Sequence, residues 1–451
     1  MNYFLYLCRR YYIIGEMKKY LLLLLAAMTM AACNDEDDNI PYVPVEELST
    51  TLIYMAADNT LSAYAPDDIM EIKEASKKLS NNQNIVLFVD MANSYGTYIG
   101  RVKNGELVDS VAMDEKASGD PAVLEEMLRY TREKYPAKDY GLCLWGHACG
   151  ILYLNDSVAY EAPVTNTPAA TRAITRATTR VFGQDSNPKS IWMNIPSMVK
   201  AIENGMGGDH LRYVFADCCN FSCVEIAYEL RHITDYLISS PAEIPDRGAP
   251  YHTVLPALFN MSENFYERVV DAYFDYYLDE YKTKSDYYYM YEPGDLAGYS
   301  VPLSVLKSSE LDNLAQETSI LLNTMHDLLT PESDRGDVWQ YIIRHYTNIL
   351  TVDFHYDMYN FMKKYAQSSD FERWQVAYEK AVPYRRSSGE WLTMDDSLKD
   401  YLVTKGKDDT NCGLVSMFFP MDKYNDTKPS QNLSIRNYQW NNVIRWQDYG
   451  W

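Results

Sequence analysis

Five short apolar runs, mostly β-branched or aromatic, recur through the first half of the chain. They are 48–57 (LSTTLIYMAA), 84–91 (NIVLFVDM), 140–145 (YGLCLW), 211–216 (LRYVFA) and 234–239 (TDYLIS). Near-continuous apolar runs, as opposed to alternating ones, are what strands covered on both faces require. Helical stretches separate them. One covers 67–79, with Pro66 near its start and Asp67-Asp68 in the first turn, where the helix dipole favours negative charge. Others are read at 121–135, at 195–204, and from about Phe221, where Val224, Ala227, Tyr228 and Leu230 recur near helical spacing. A hairpin over 98–111 turns on Asn104-Gly105. This order predicts an α/β fold with a mostly parallel sheet flanked by helices.

Sites in such sheets gather at the carboxyl ends of the strands. Two of those ends carry chemistry. Residues 217–220 (DCCN) are placed at a strand-to-helix junction, where a cysteine would feel the positive end of a helix dipole and favour thiolate. Its own unpaired N–H could face an oxyanion there. The run 140–145 leads into Gly146-His147-Ala148. If the two strands are neighbours, His147 and Cys219 meet as base and nucleophile. The plainer alternatives are a buried structural cysteine, a satisfied histidine, and Asp217 as a helix cap. A zinc site built from Cys218, Cys219, Cys223 and His147 is disfavoured, because adjacent cysteines chelate poorly and no CxxC pair is present.

The chain has 451 residues, with 41 Lys+Arg against 63 Asp+Glu, a net charge of −22. That excess argues against a nucleic-acid partner. It is compatible with basic peptide substrates. Eight cysteines at irregular spacing do not suggest a disulfide framework. Residues 1–33 read as an address. Met17-Lys18-Lys19 begins a positive segment, an apolar run follows to Met30, and Ala31-Ala32-Cys33 closes it. This resembles a bacterial lipoprotein signal, with Met17 the expected start and Cys33 the lipidated residue. It places the protein in the cell envelope as an outer-membrane lipoprotein exposed at the surface, touching membrane through the anchor only.

Residues 34–47 read as an acidic, Pro-containing linker, 48–288 as the main α/β domain, and 289–451 as a helical, Tyr-rich C-terminal region. Within the latter, 303–328 and 338–363 are expected to be helical and 413–419 (GLVSMFF) strand-like. The stretch 253–282 is also expected to be helical. Residues 157–190, rich in Thr, Ala and Arg, have no apolar period and read as an exposed loop carrying Arg172, Arg176 and Arg180. Such a loop is open to cleavage after basic residues. SSPAEIPDRGAPY, at 239–251, is a Pro/Gly-rich loop at the same sheet end.

The segments YMAADNTL, WGHACG, ADCCNFSCVEIAYEL and SSPAEIPDRGAPY, in that order, resemble the clostripain family of cysteine peptidases. The likeness covers roughly 48–270 well and 290–451 loosely, through CGLVSMFFP. It implies a caspase-like fold and a His–Cys dyad of His147 and Cys219, the latter six residues before Glu225. It also implies Asp217 as the acid selecting Arg or Lys at P1, and an oxyanion hole from the backbone of Ala148 and Cys219. Maturation by self-cleavage between histidine and cysteine follows from the family too, with Arg172, Arg176 and Arg180 as candidates. Protein or peptide substrates are implied. No cofactor is required, calcium being one the family can use, and a monomer is expected. The sequence departs from the family at Ala148, where Gly is usual and a positive φ would strain Ala. Cys218 stands where the family has Ala, and Cys149 and Cys223 add further thiols. The competing class is a surface lipoprotein that keeps the fold as an inactive peptide- or glycan-binding module.

Overall fold

The computed structural model describes residues 47–92, 96–151, 153–154, 178–179, 182–186, 191–245, 247–283, 302–330, 355–387, 412–420 and 435–451. In chain order the strands that matter are β1 (Glu47–Ala57), β2 (Gln83–Met91), β3 (Thr97–Lys103), β4 (Glu106–Met113), β5 (Ala137–Trp145), β6 (Phe182–Asp185) and β7 (Ile191–Met193). They are followed by β8 (Leu211–Asp217), β9 (Thr234–Ser239), β10 (Leu303–Lys307), β11 (His355–Asp357), β12 (Tyr384–Arg386) and β13 (Ser416–Phe418). The helices are α1 (Ala65–Ser76), α2 (Pro121–Lys134), α3 (Ile195–Met206), α4 (Val224–Leu230), α5 (Tyr251–Leu258), α6 (Phe265–Thr283), α7 (Leu311–Thr324), α8 (Met358–Tyr365), α9 (Ser368–Ala381) and α10 (Trp440–Ile444).

Nine strands form one sheet in the order β12-β10-β9-β8-β5-β1-β2-β3-β4. The inner five, β9-β8-β5-β1-β2, are parallel. Antiparallel pairs flank them, β10 and β12 on one side and β3 and β4 on the other. Alternate residues of each inner strand enter two different cores. Leu52, Tyr54, Ala56, Leu142, Leu144, Val214 and Ala216 pack with α2, α3 and α4. Ile53, Met55, Ala57, Cys143, Trp145, Tyr213 and Phe215 pack with α1, α5 and α6 on the other face. Two covered faces explain why these strands carry no polar alternation. The architecture is the mixed α/β fold expected, with its largely parallel sheet between helical layers.

Local chemistry sets the ends of the elements. The β3–β4 turn places Asn104 at φ 51° and Gly105 at φ 86°, the pair of positive angles that a two-residue hairpin turn needs. Asp120 caps α2 by accepting from Ala122 N at 2.9 Å, and Asn194 caps α3 through Ser197 N at 2.9 Å.

Several expectations are corrected. Residues 303–307 are strand, and the helix begins only at Leu311, because β10 is recruited to the sheet by pairing with β9. The 253–282 stretch is two helices, α5 and α6, separated where Asn260 Oδ1 accepts from Ser262 N. Of 338–363, residues 338–354 lie outside the described residues, 355–357 are strand, and α8 follows. Part of the expected 157–190 loop is strand: β6 lies inside it and pairs with β7 just past it, and Phe182 and Asp185 are fully buried. The C-terminal stretch contributes β10 and β12 to the central sheet, and its Trp374, Trp440 and Trp446 lie in the α2–α4 core. Residues 45–451 form one unit. Among the described residues no helix is long and apolar enough to cross a membrane.

Candidate active site

Strands β5 and β8 are adjacent and parallel, and their last paired residues are Trp145 and Asp217. His147 and Cys219 each lie two residues beyond that pair. Both therefore leave the same sheet edge side by side. The condition set by sequence, that the two strands be neighbours, is met.

The loop after β5 is shaped by glycine. Gly146 has φ 150°, and a Cβ there would approach Ala56 O at 3.1 Å, so the chain can pass close to β1 only without a side chain. Positive φ in this loop falls on Gly146 and Gly150 and not on Ala148, so the strain expected at Ala148 does not arise. Ala148 is buried and bridges to Phe182, and Gly183 N donates to His147 O at 3.0 Å. His147 is half-buried. Its Nε2 shares a 2.8 Å hydrogen bond with Thr60 Oγ1, from the short turn Thr60–Ala63 that follows β1.

The loop after β8 separates the two adjacent cysteines. Cys218 continues the alternation of Val214 and Ala216 into the α2–α4 core and is 1 % exposed. Cys219 is only half-buried. Asn220 then takes a left-handed conformation at φ 56°, which Asn tolerates better than most residues, and donates its N–H to Ala242 O at 2.9 Å. The helix begins only at Val224, with Cys223 as its cap residue. The dipole expectation for Cys219 is thereby corrected: it stands well outside the first helical turn, and α4 is short. Burial pushes the Cys219 thiol up, the charge of Glu243 adds to the shift, and the Ile244 N–H opposes it. Cys223 is fully buried and accepts from Ser416 Oγ at 2.9 Å, a structural role.

Asp217 is buried, 3 % exposed. The 239–251 loop folds against it. Ala249 N donates to Oδ2 at 3.0 Å, and Gly248 packs so closely that a Cβ would come within 2.7 Å of the same oxygen. The buried Tyr251 hydroxyl lies against the same carboxyl and, with the Ala249 N–H, favours its charged form. Burial pushes this carboxyl up to about 7. On the same face Asp68 accepts from Trp145 Nε1 at 2.7 Å, and burial, reinforced by the charge of Asp217, lifts it to about 9. Asp217 is a sheet-edge acid held by a loop, not the helix cap considered as the alternative.

Among the described residues no three His, Cys, Asp or Glu side chains converge to hold a metal ion. Asp90 and Asp185 hydrogen-bond each other, and Asp185 Oδ2 accepts from Ser118 N at 2.6 Å. That buried acid pair anchors β6. Cys33, Arg172, Arg176 and Arg180 lie outside the described residues. Sequence reasoning missed Thr60, Asn59 and the β6 strand. Their only signal was the position of Asn59-Thr60 at the end of a strand.

The profile of the clostripain family matches residues 53–401. No curated protein matches the chain. Among solved structures it is similar to a secreted C11 cysteine protease from Bacteroides thetaiotaomicron, solved with an irreversible peptide inhibitor. The two share 25% identity over 89% of this chain and 99% of that one, with a TM-score of 0.68. An inactive zymogen C11 protease from Parabacteroides distasonis shares the fold at 22% identity, over 89% of this chain and 99% of that one, with a TM-score of 0.64.

Proposed function

The chain belongs to the clostripain family of cysteine peptidases, and on that premise we propose that it cleaves peptides after Arg or Lys with a Cys219–His147 dyad. One observation carries the reading: the in-register pairing of Trp145 with Asp217 brings residues two positions further, one histidine and one cysteine, to a single sheet edge.

Cys219 rests as a thiol, so the reaction begins with proton removal. His147 takes the proton as the sulfur attacks the scissile carbonyl. The backbone N–H groups of Cys219 and Ala148 hold the oxyanion. His147 then protonates the leaving amine, and water releases the acyl group from sulfur in a second step. A basic P1 side chain is read by Asp217. Its burial with only neutral donors beside it, the Ala249 N–H and the Tyr251 hydroxyl, supports this role, because a guanidinium or ammonium would add a charge-assisted bond. The burial of Cys218 supports Cys219 as the nucleophile of the pair.

Maturation is assigned to self-cleavage after Arg172, Arg176 or Arg180, between the histidine and the cysteine. Anchoring through Cys33 would place the enzyme at the envelope, in keeping with a relative described as secreted. The test is intact mass and arginyl-amide hydrolysis of protein lacking residues 1–33. Wild type and Cys218→Ala are expected to split after one of these arginines and to hydrolyse the reporter, Cys218→Ala within a few-fold of wild type. Cys219→Ala is expected to stay whole and inactive. If wild type neither splits nor turns over, the chain is instead a binding module on a peptidase fold. If Cys218→Ala is the dead variant, the nucleophile is reassigned.

A further inference from the structure

We propose that Thr60 is a positioning residue for His147, fixing its ring and assigning Nδ1 as the nitrogen that exchanges the catalytic proton. The inference rests on the dyad reading above. Thr60 Oγ1 lies 2.8 Å from His147 Nε2 although the two residues are far apart in sequence. The contact is therefore a product of the fold, made where the ends of β1 and β5 come together.

The hydroxyl is held by a rigid turn. Asn59, buried at 8 % exposure, accepts from Leu61 N at 2.8 Å through Oδ1. Its Nδ2 donates to Ala56 O at 2.8 Å and to Gln184 O at 2.7 Å. Ser186 N closes the same region by donating to Asp58 O at 2.9 Å. Gln184 belongs to β6, whose Gly183 N donates to His147 O. Ring and backbone of His147 are thus gripped by two segments that are bonded to each other.

A two-nitrogen base is useful only when one nitrogen is committed and the other faces the reacting atoms. With Nε2 engaged by Thr60, the proton taken from Cys219 and returned to the leaving amine is carried at Nδ1. Once His147 is an imidazolium, Nε2–H donates to Thr60 Oγ1. The hydroxyl then stabilises the charged form and keeps the proton on the ring until the amine departs.

Thr60→Val removes the hydroxyl while keeping the branched shape, and Thr60→Ser restores it. Thr60 is exposed, so neither change is expected to unfold the protein, and thermal melting checks this. With an N-acyl-arginyl amide, Thr60→Val is expected to lower kcat by roughly 10- to 100-fold, part of the range that a positioned general acid–base supplies, with KM nearly unchanged. Its acid limb of kcat, set by the neutral His147 that must take the proton, should move down by roughly half a pH unit, because the imidazolium has lost an acceptor. Thr60→Ser should recover both. His147→Ala and Cys219→Ala, measured beside them, separate the two claims. If His147→Ala is inactive but Thr60→Val keeps wild-type kcat and limb, the positioning role is overturned and the dyad stands. If Thr60→Val and Thr60→Ser fall alike, the hydroxyl is not responsible and the proposal fails. If His147→Ala stays active, the dyad reading falls and this inference falls with it.

Discussion

Asp217 is costly to keep: a buried carboxyl with only the Ala249 N–H and the Tyr251 hydroxyl to offset its desolvation, pushed up to about 7. If it is the P1 acid, substrate binding should titrate. Below pH 7 the neutral acid offers a cation little; above it the carboxylate pairs fully. KM for an arginyl substrate is expected to fall as pH rises through about 7, while a citrulline analogue stays flat. Asp217→Asn should raise KM for arginine by at least ~10-fold, the scale of a charge-assisted bond, and abolish the pH dependence. Stability runs the opposite way. The folded pKa is raised above an unfolded value of roughly 4, so the folded state binds the extra proton. The stability it contributes is full below about 4 and is lost as pH rises towards 7. The melting temperature of Asp217→Asn should therefore change less than wild type across that window. At this scale much of the site was legible, because His147, Asp217 and Cys219 sit at strand ends in short motifs. A helix dipole does not act on Cys219: the helix starts at Val224, so burial governs the thiol. Thr60 was invisible, since its partner is 87 residues away.

α4 shows how an element can hold a loop from behind. Glu225 in its first turn is fully buried, accepts from Phe418 N at 2.8 Å, and among the described residues leaves Oε2 without a hydrogen-bond partner. Burial pushes it up to about 8, so at neutral pH it is chiefly the acid. Ser416 N donates to Ser222 O at 2.9 Å, and Ser222 Oγ meets Ser304 Oγ at 2.6 Å. β13 and β10 thus fix the segment carrying Cys219. Glu225→Gln preserves an acceptor for Phe418 and the neutral charge, and is expected to change unfolding free energy by less than about 1 kcal/mol. Glu225→Ala orphans that buried N–H and should cost about 1–3 kcal/mol, read by urea unfolding near pH 7. α4 and β13 are legible in the sequence, as the helical spacing from about Phe221 and the strand-like run at 413–419, but their contacts and the strand β10 are not. LSVLK at 303–307 reads as the start of a helix because a strand this short is specified by its partner, β9, and not by its own period. The five apolar runs of the central strands needed no partner to be recognised, since each is apolar on both faces.

At the scale of the whole molecule, the proposed cleavage segment divides the sheet between its two catalytic halves. β1, β2 and β5 with His147 precede Arg172; β8, β9, β10 and β12 with Cys219 follow Arg180. A cut there must not let the halves part. The halves are joined through the middle of the sheet, where β5 pairs with β8 over Tyr140 to Trp145, and by α2 packed on α3 in a shared core. β6, the first described strand after Arg180, stays tied to the earlier half by Gly183 N to His147 O, by Asn59 Nδ2 to Gln184 O, and by Asp185 to Ser118. Apolar burial at roughly 25 cal/mol per Å² over a core of this kind outweighs the loss of one covalent link in that segment. Protein cut after any of the three arginines is therefore expected to elute from gel filtration as one particle of uncut size. Two chains should appear only in denaturant. Dissociation of the nicked protein in native buffer would mean that an intact segment is needed to hold the His147 half to the Cys219 half, and that cleavage ends activity instead of beginning it.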